Sequence, residues 1–368
     1  METMKIPLAE PFASQDHLKA VKEVLESGQF VNGLQTKEFE KEFAKLVGCK
    51  NAIAVNSGTA ALHLALLSAG IKRGDEVITV SHTFIATLES IWHVGGKPQV
   101  ADIDDRYYTM DVTEARKLIS DKTRAIIPVH IFGHPVDMDP LQELASEHNL
   151  VIIEDAAQAH GAQYKSRSVG TLGDIACFSF YPSKNLTVCG DGGMIVTQND
   201  ELAGRAKMLR DHGRKEKYAS ELVGYNYRIS EIASAIGRVS LPNLSRWNEE
   251  RRNIASRYEH ALSGVGDLVL PKEADWARHV YHVYAIRHPH RDALAQWLSK
   301  NGIQTGKHYP VPCHLQPVFA KMEHKSVRLE RTEAAANELL SLPMYPEMTG
   351  DEIDYVAGNV RKFIERPN

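Results

Sequence analysis

The sequence predicts an α/β protein with a large, mostly parallel mixed sheet covered by helices on both faces, followed by a smaller α+β domain. Two observations predict the sheet: short apolar runs recur between residues 51 and 198, and helical patterns separate most of them. Strands that alternate with helices are typical of βαβ units. The third observation is a change near residue 240, where a long charged helix replaces the alternation.

Each element follows from its own pattern. Helices are predicted at 15–27 and 36–48, the second closed by Gly48. The sheet is predicted from runs at 51–55, 76–80, 98–103, 124–130, 150–156, 175–180 and 193–198, with helices at 57–70, 83–95, 111–120 and 138–148. Beyond the long helix at 241–262, a strand at 279–288 and helices at 291–301 and 350–363 indicate the smaller domain. We expect a larger domain over 1–245 and a smaller one over 246–368, with packing of the N-terminal segment on the smaller domain left open.

Composition narrows the classes of function. The 368 residues carry a formal net charge of -4, which gives no reason to expect nucleic acid or an anionic membrane as a partner. No apolar run approaches the ~20 residues of a membrane helix, and the N-terminus lacks the apolar core of a secretory signal. We therefore expect a cytoplasmic protein. No metal is expected, because an H-E-x-x-H motif is absent and Cys49, Cys177, Cys189 and Cys313 lack the spacing of a zinc or redox site.

A candidate phosphate site follows the first strand of the predicted sheet. Ligands of open α/β sheets bind beyond the carboxyl ends of the strands. Ser57, Gly58 and Thr59 stand there and open a helix, whose free N–H groups and positive end would hold a phosphate. Ser179, at the end of a later strand, could add a hydroxyl. The alternative is an ordinary helix N-cap.

An acid and a lysine complete the pattern. Asp155 ends a predicted buried strand, where an unpaired charge would be costly. It is either the counter-ion of a buried cation or the cap of the next turn. Gln158 and His160 follow it among small residues that leave room for a flat ligand. Lys184 lies in the turn-rich stretch SFYPSKN, where a neutral amine could form a Schiff base with an aldehyde. A phosphate site, an acid and a lysine together suggest pyridoxal 5'-phosphate (PLP), with the acid keeping the ring nitrogen protonated.

The chain resembles the DegT/DnrJ/EryC1/StrS group of PLP-dependent nucleotide-sugar aminotransferases. The resemblance covers nearly the whole length and is carried by NSGTAALHLAL, VIIEDAAQAHGAQY, GDIACFSFYPSKNLT, GYNYRISEIASAIG and HYPVPCHLQP. The segments EDAAQAHGA and SFYPSKNL, in that order and spacing, are highly specific. The resemblance implies the aspartate-aminotransferase-like fold of type I.

The same resemblance implies roles at the cofactor. Lys184 would hold the cofactor aldehyde and move the proton between the substrate carbon and C4′. Asp155 would pair with the ring nitrogen, and Gln158 would hydrogen-bond the ring hydroxyl. Phe84 would stack on the ring, with plain core packing as the alternative. The phosphate would be held by Gly58, Thr59 and Ser179, with Ser57 beside them.

Further residues are implied on the substrate side. Asn226 would reach the phosphate from the neighbouring subunit, since sites of this group form at the interface of a homodimer. Arg228 would bind a donor or substrate carboxylate, with a salt bridge as the alternative. His308 and Tyr309 would line the sugar-nucleotide side, and His160 would support Asp155.

The resemblance finally implies a reaction, the transfer of an amino group from L-glutamate to a keto group of a nucleotide-linked deoxysugar. GDGG at 190–193 differs from the more frequent GEGG, either as a tolerated loop change or as the mark of a subgroup that acts on 3-keto sugars. The alternatives are an inosose aminotransferase, a deoxysugar dehydratase, in which histidine replaces the lysine, and a regulatory relative without catalysis. The nucleotide, the sugar and the choice between carbons 3 and 4 stay open.

Overall fold

The computed structural model describes residues 4–216, 218–323 and 326–366. Its strands are β1 (Asn51–Val55), β2 (Glu76–Val80), β3 (Lys97–Ala101), β4 (Thr123–Ile126), β5 (Val151–Asp155), β6 (Gln163–Tyr164), β7 (Arg167–Ser168), β8 (Ile175–Ser179), β9 (Gly193–Thr197), β10 (Arg214–Glu216), β11 (Ala219–Ser220), β12 (Ala277–Arg278), β13 (Tyr284–Arg287) and β14 (Leu339–Leu342). Seven of them form the large sheet, in the order β1-β9-β8-β5-β4-β2-β3. The other strands form small sheets of two or three members.

Strand β9 is the exception in an otherwise parallel sheet. It pairs antiparallel with both β1 and β8, whereas the pairs among β8, β5, β4, β2 and β3 are parallel. A parallel return needs a crossover that is usually a helix, and the described residues between Ser179 and Gly193 contain none. The prediction of a mostly parallel mixed sheet is confirmed.

The helices cover both faces of this sheet. They are α1 (Gln15–Ser27), α2 (Leu34–Val47), α3 (Gly58–Ser68), α4 (Ala86–His93), α5 (Val112–Arg116), α6 (Met138–His148), α7 (Asp200–Arg210), α8 (Glu231–Ser240), α9 (Leu244–Leu262), α10 (Arg291–Lys300), α11 (Pro317–Glu323), α12 (Glu330–Glu338) and α13 (Gly350–Ile364). Helix α3 is apolar on nearly every side, which is typical of a buried helix, and it lies against β5, β8 and β9. No described helix is long and apolar enough to cross a membrane.

The alternation of side chains along the strands divides the core into two layers. Ile53, Ile153 and Ile195 point to the layer that contains α3 and α7. Their neighbours Ile152 and Met194 point to the opposite layer, which contains α2 and α6. Because successive residues of a strand face opposite sides, an apolar run in this sheet fills both layers at once.

A separate core lies in the C-terminal part of the chain. It joins α9, α10 and α13 to the antiparallel pair of β13 and β14, and Ile6 is buried in it. Ile6 also forms a parallel bridge with Ile303, so the N-terminal segment packs on the C-terminal part. The predicted domain boundary at 245/246 falls in the first turn of α9, and its status as a boundary stays a prediction.

The predicted strand at 279–288 is too long. Only Tyr284–Arg287 pairs, with β14. The N–H groups of Val280 and His282 donate instead to the carbonyl oxygens of Gly133 and Phe132. This segment is therefore fastened to the large sheet's loops, which brings His282 toward the carboxyl ends of the strands.

Candidate active site

A cavity of about 480 Å³ opens at the carboxyl ends of β1, β2, β5 and β8. Ten of the thirteen predicted site residues line it: Ser57, Gly58, Thr59, Phe84, Asp155, Gln158, Ser179, Lys184, His308 and Tyr309. They come from five separate stretches of the chain. The strands β1, β2, β5 and β8 bring four of these stretches together because their carboxyl ends meet at one edge of the sheet, and the fifth, with His308 and Tyr309, comes from a loop after α10.

The N-terminus of α3 forms one end of the cavity. Ser57 is its N-cap, and its hydroxyl oxygen accepts from the Ala60 N–H at 3.1 Å. Gly58 and Thr59 line the cavity, and the N–H groups of these first helical residues have no partner within the helix. A Cβ atom at Gly58 would stand 2.7 Å from the Ser179 Cβ, so only glycine lets these two segments approach. The result is a compact group of donors at a helix N-terminus, the arrangement that binds phosphate.

The side-chain amine of Lys184 has no hydrogen-bond or ion-pair partner among the residues that the structure describes. The backbone N–H of Lys184 donates to the Tyr181 carbonyl at 2.8 Å, which fixes the turn after β8. Burial lowers the pKa of Lys184 to about 8, opposed by the charge of Asp155. A larger share of neutral amine makes this lysine a better nucleophile than an exposed one.

The carboxylate of Asp155 is buried and only partly satisfied. Its Oδ2 accepts from the Thr87 hydroxyl at 2.8 Å, and its Oδ1 accepts from the Ala157 N–H at 3.2 Å. Burial raises the pKa of Asp155, and these two hydrogen bonds and the Lys184 charge oppose that rise. A buried carboxylate with two neutral donors retains acceptor capacity for a cation, such as a protonated ring nitrogen.

Both carboxylate oxygens of the preceding residue, Glu154, are hydrogen-bonded to protein groups. Its Oε1 accepts from the N–H groups of Leu172 and Gly173 at 2.8 and 2.7 Å. Its Oε2 accepts from the Gly170 N–H at 2.9 Å and lies 3.1 Å from the His130 Nε2. This side chain fastens the loop before β8 to β5.

Aromatic and amide groups form the opposite wall. The Gln158 Oε1 accepts from the Phe132 N–H at 2.6 Å, and its Nε2 donates to the Tyr309 hydroxyl at 3.0 Å. The rings of Phe84 and Tyr309 lie 5.9 Å apart between centroids. Phe84 is 56% exposed, so core packing does not account for it. The Gln158 amide is occupied by Tyr309 here, and its bond to a ring hydroxyl stays a prediction.

Eleven further described residues that were not predicted as site residues line the cavity, and two of them, His282 and Thr87, carry polar groups that bear on Lys184 and Asp155. His282 lines it beside His308, and burial together with the Lys184 charge lowers the pKa of both, that of His308 to about 4. Both imidazoles are therefore neutral near pH 7. The hydroxyl of Thr87, the second residue of α4, donates to Asp155 and lies 2.9 Å from the Thr83 hydroxyl. Neither His282 nor Thr87 stands in a motif with a local signal.

Three predicted residues lie outside the cavity. His160 is buried against Phe178 and Phe180, at 5.3 and 5.8 Å between ring centroids, and burial lowers its pKa to about 3. Arg228 forms an ion pair with Asp211, as the salt-bridge alternative expects. Asn226 is exposed, and its backbone bridges Asp211. The roles of these three residues stay predictions.

The residues present fit PLP. A helix N-terminus with a glycine cradle suits its phosphate, a free amine of lowered pKa suits its aldehyde, and a buried, partly satisfied carboxylate suits its ring nitrogen. The fold and this combination define a class, the PLP-dependent enzymes of fold type I.

Comparison with known proteins identifies the family within that class. The model of the DegT/DnrJ/EryC1/StrS aminotransferase family matches residues 11–361, and the chain belongs to this family. It is 44% identical to a Geobacillus stearothermophilus protein named "Pleiotropic regulatory protein", over 98% of this chain and 99% of that one. It is 41% identical to the dTDP-3-amino-3,4,6-trideoxy-alpha-D-glucose transaminase of Streptomyces venezuelae, over 99% and 98%. It is also 41% identical to an Acidithiobacillus ferrooxidans UDP-N-acetyl-3-dehydro-alpha-D-glucosamine 3-aminotransferase, over 94% and 93%.

Solved structures agree with this assignment. The crystal structure of S. venezuelae DesV superposes with a TM-score of 0.96 at 40% identity, over 100% of both chains. The structure of NtdA from Bacillus subtilis, which contains the cofactor PMP, the amino form of PLP, superposes with a TM-score of 0.89 at 32% identity, over 96% of this chain and 82% of that one. The chain is therefore an aminotransferase, and its cofactor is PLP.

Proposed function

We propose that this enzyme transfers an amino group from L-glutamate to the keto group of a nucleotide-linked sugar. One observation carries the proposal: the free amine of Lys184 and the partly satisfied carboxylate of Asp155 line the same cavity, with a helix N-terminus at its end. The relatives named as transaminases of dTDP- and UDP-linked sugars support the acceptor class.

The chain's own residues divide the work. PLP, when bound, supplies an electron sink that stabilises negative charge at the substrate carbon. The N–H groups of Gly58 and Thr59 would hold its phosphate, and Asp155 would keep its ring nitrogen protonated. Lys184 moves the proton at the substrate carbon, a task for an amine whose pKa lies near the working pH. Phe84 and Tyr309, which line the cavity with ring centroids 5.9 Å apart, would pack against the cofactor ring.

We place the acceptor keto group at carbon 3 of the sugar. The names of two relatives specify a 3-amino or a 3-dehydro sugar. The sugar would meet His308 and Tyr309, which line the cavity and whose side chains are polar and neutral near pH 7. Neutral donors and acceptors suit the hydroxyl groups of a sugar ring.

We further propose a homodimer with shared sites. Asn226 and Arg228 do not line the cavity of their own chain, and a second subunit can bring them to its partner's cavity. Phe84 and Tyr181 are more than half exposed at the mouth of that cavity, where a partner would cover them.

A cytoplasmic location accords with the four unpaired cysteines, of which Cys189 is exposed.

The test is amino transfer by the PLP-supplied protein. Wild type is incubated with L-glutamate and a panel of nucleotide-linked 3- and 4-ketosugars, and the products are identified by mass. We expect the 3-ketosugars to gain an amine. Lys184→Ala should lose the visible absorption band of lysine-bound cofactor and slow the transfer at least about a thousandfold. Lys165→Ala is the control, because that lysine is exposed and pairs with Asp139.

Two outcomes would contradict the proposal. A dehydrated sugar without new nitrogen would indicate a dehydratase. A protein that takes up no PLP would indicate the regulatory alternative, which the name of the G. stearothermophilus relative brings forward. Lys184 and Asp155 argue against that alternative, because a protein without catalysis has no need of either side chain in an open cavity.

A further inference from the structure

His282 enters the cavity from the C-terminal part of the chain with one of its two ring nitrogens already engaged. Its Nδ1 lies 3.2 Å from the Asn185 Oδ1. Its Nε2 forms no hydrogen bond with the described residues, and it is not among their fully buried, unpaired side-chain atoms. The ring lines the cavity and is only partly buried. The Nε2 is therefore open to a ligand in the cavity.

The amides behind the His282 ring show where its proton lies. The Asn248 Nδ2 donates to the His160 carbonyl at 2.8 Å, so the Asn248 Oδ1 faces Asn185. The Asn185 Nδ2 donates to that Oδ1 at 2.9 Å and to the Val280 carbonyl at 3.0 Å. Because a carbonyl oxygen can only accept, each of the two amides has one orientation. The Asn185 Oδ1, an acceptor, is therefore the atom that faces the His282 Nδ1.

The His282 ring consequently carries its proton on Nδ1. A neutral imidazole has one donor and one acceptor, so Nε2 is the acceptor. Burial and the Lys184 charge lower the pKa of His282, which keeps the ring neutral near pH 7. His282 thus presents a lone pair to the cavity and no proton.

This lone pair belongs to the part of the cavity where the keto carbon of the acceptor reacts. Asn185 directly follows Lys184, so the residue that orients His282 is the chain neighbour of the lysine that moves the proton. The side chains of Lys184 and His282 line the same cavity, and the lysine charge acts on the imidazole. A keto oxygen cannot donate to Nε2, whereas a sugar hydroxyl group can.

We propose that His282 determines acceptor specificity: its Nε2 accepts a hydrogen bond from a sugar hydroxyl group next to the keto carbon, and Asn185 holds the ring in the tautomer that this contact needs. This role rests on the proposed function, because it assigns a contact of the same acceptor sugar. A sugar without that hydroxyl group leaves the lone pair without a partner, and a site built for a hydroxyl group discriminates against such an analogue.

Two variants separate the open acceptor from the contact with Asn185. His282→Asn can keep an N–H group against the Asn185 Oδ1 and has no atom at the place of Nε2. His282→Gln can bring its amide oxygen to that place. The kcat/KM of wild type and both variants is measured with nucleotide-linked 3-ketosugars that have or lack the hydroxyl groups at carbons 2 and 4. We expect His282→Asn to lower kcat/KM about tenfold for the hydroxylated sugar and to leave it unchanged for the deoxy sugar, and His282→Gln to retain the preference of wild type.

The proton itself gives a readout that does not depend on turnover. Neutron diffraction from crystals of the PLP-loaded enzyme in heavy water should show deuterium on the His282 Nδ1 and none on Nε2. His290→Asn, at an exposed histidine of the same part of the chain, is the control and should leave the sugar preference unchanged.

Three results would overturn the role of His282 while leaving amino transfer to ketosugars in place. They are deuterium on Nε2, a preference of His282→Asn for the hydroxylated sugar equal to that of wild type, and an equal loss of activity by both variants toward both sugars, which would make the ring a structural support. Failure of wild type to aminate any ketosugar would instead overturn the proposed function, and this role with it.

Discussion

The end of β5 carries two adjacent carboxylates whose surroundings differ completely. Glu154 faces the loop before β8 and accepts hydrogen bonds from three backbone N–H groups, with His130 as a fourth partner. Asp155 faces the cavity and has only two neutral donors. Both are buried, and both end the same strand. The comparison teaches that burial of a charge does not identify a site, whereas an incomplete set of partners does.

The largest effect on activity is expected at Asp155, the carboxylate with an incomplete set of hydrogen-bond partners. Asp155→Asn removes the charge while its side-chain oxygen can still accept from Thr87. We expect kcat/KM to fall about a hundredfold to a thousandfold, because the ring nitrogen loses its counter-ion, and the fold to survive, because a buried charge is removed. Steady-state kinetics and Tm check this. Asp139→Asn, at an exposed ion pair, is the control, and normal activity of Asp155→Asn would break the comparison.

The largest effect on stability is expected at Glu154, the carboxylate whose hydrogen-bond partners are complete. Glu154→Gln places an amide NH₂ against backbone N–H donors, so we expect the free energy of unfolding of the PLP-loaded enzyme to fall by about 3 kcal/mol. Activity per folded molecule should stay near that of wild type. Urea unfolding and active-site titration measure the two quantities, with the exposed Glu147→Gln as the control. Loss of activity at unchanged stability would reverse the assignment of the two carboxylates.

A smaller effect on activity is expected at Thr87, whose hydroxyl donates a hydrogen bond to Asp155. Thr87→Val keeps the shape of the side chain and removes its hydrogen bond to the carboxylate, which should lower kcat/KM about tenfold. Ser90→Ala, in the same helix, removes a hydroxyl that donates to the Thr87 carbonyl and does not contact Asp155. If the two variants lose the same activity, helix α4 rather than the hydrogen bond is responsible.

The smallest effect is a shift of pH dependence. Only the neutral amine of Lys184 attacks an aldehyde, so capture of PLP by the apoenzyme should accelerate with rising pH and level off above about 8. The Asp155 charge raises the pKa of Lys184, so Asp155→Asn should move the midpoint to lower pH. Glu154→Gln should leave it in place. Stopped-flow absorbance over a range that brackets the midpoint distinguishes the two carboxylates.

The large sheet could be read from the sequence because each strand is a short apolar run between turn residues. NAIAV and EVITV were predicted to the residue. The paired segments β6, β7 and β12 were not, because strands of two residues have no periodicity. Strand β14 was also missed, since LLSL directly follows a helix and an apolar run of four residues does not distinguish strand from helix.

The site was predictable where strand order dictates it. Lys184, Asp155 and Ser57 each follow a strand of one sheet, so their meeting follows from topology. His282 comes from the C-terminal part of the chain, and its position depends on hydrogen bonds to Phe132 that no local pattern encodes. The pairing of Arg228 with Asp211 rests likewise on packing between distant segments.

The close backbone packing at Gly193 bears on how an enzyme of this fold can change its substrate. A Cβ there would stand 2.4 Å from the Ser57 carbonyl oxygen, so β9 presses main chain against main chain at the phosphate end of the cavity. The proposed phosphate site at this end is thus shaped by closely packed backbone, which mutation of neighbouring side chains scarcely alters. Tyr181, His308 and Tyr309, by contrast, line the cavity with side chains. Substitution of these three side chains can therefore change which acceptor sugar fits, while the backbone contact at Gly193 stays unchanged.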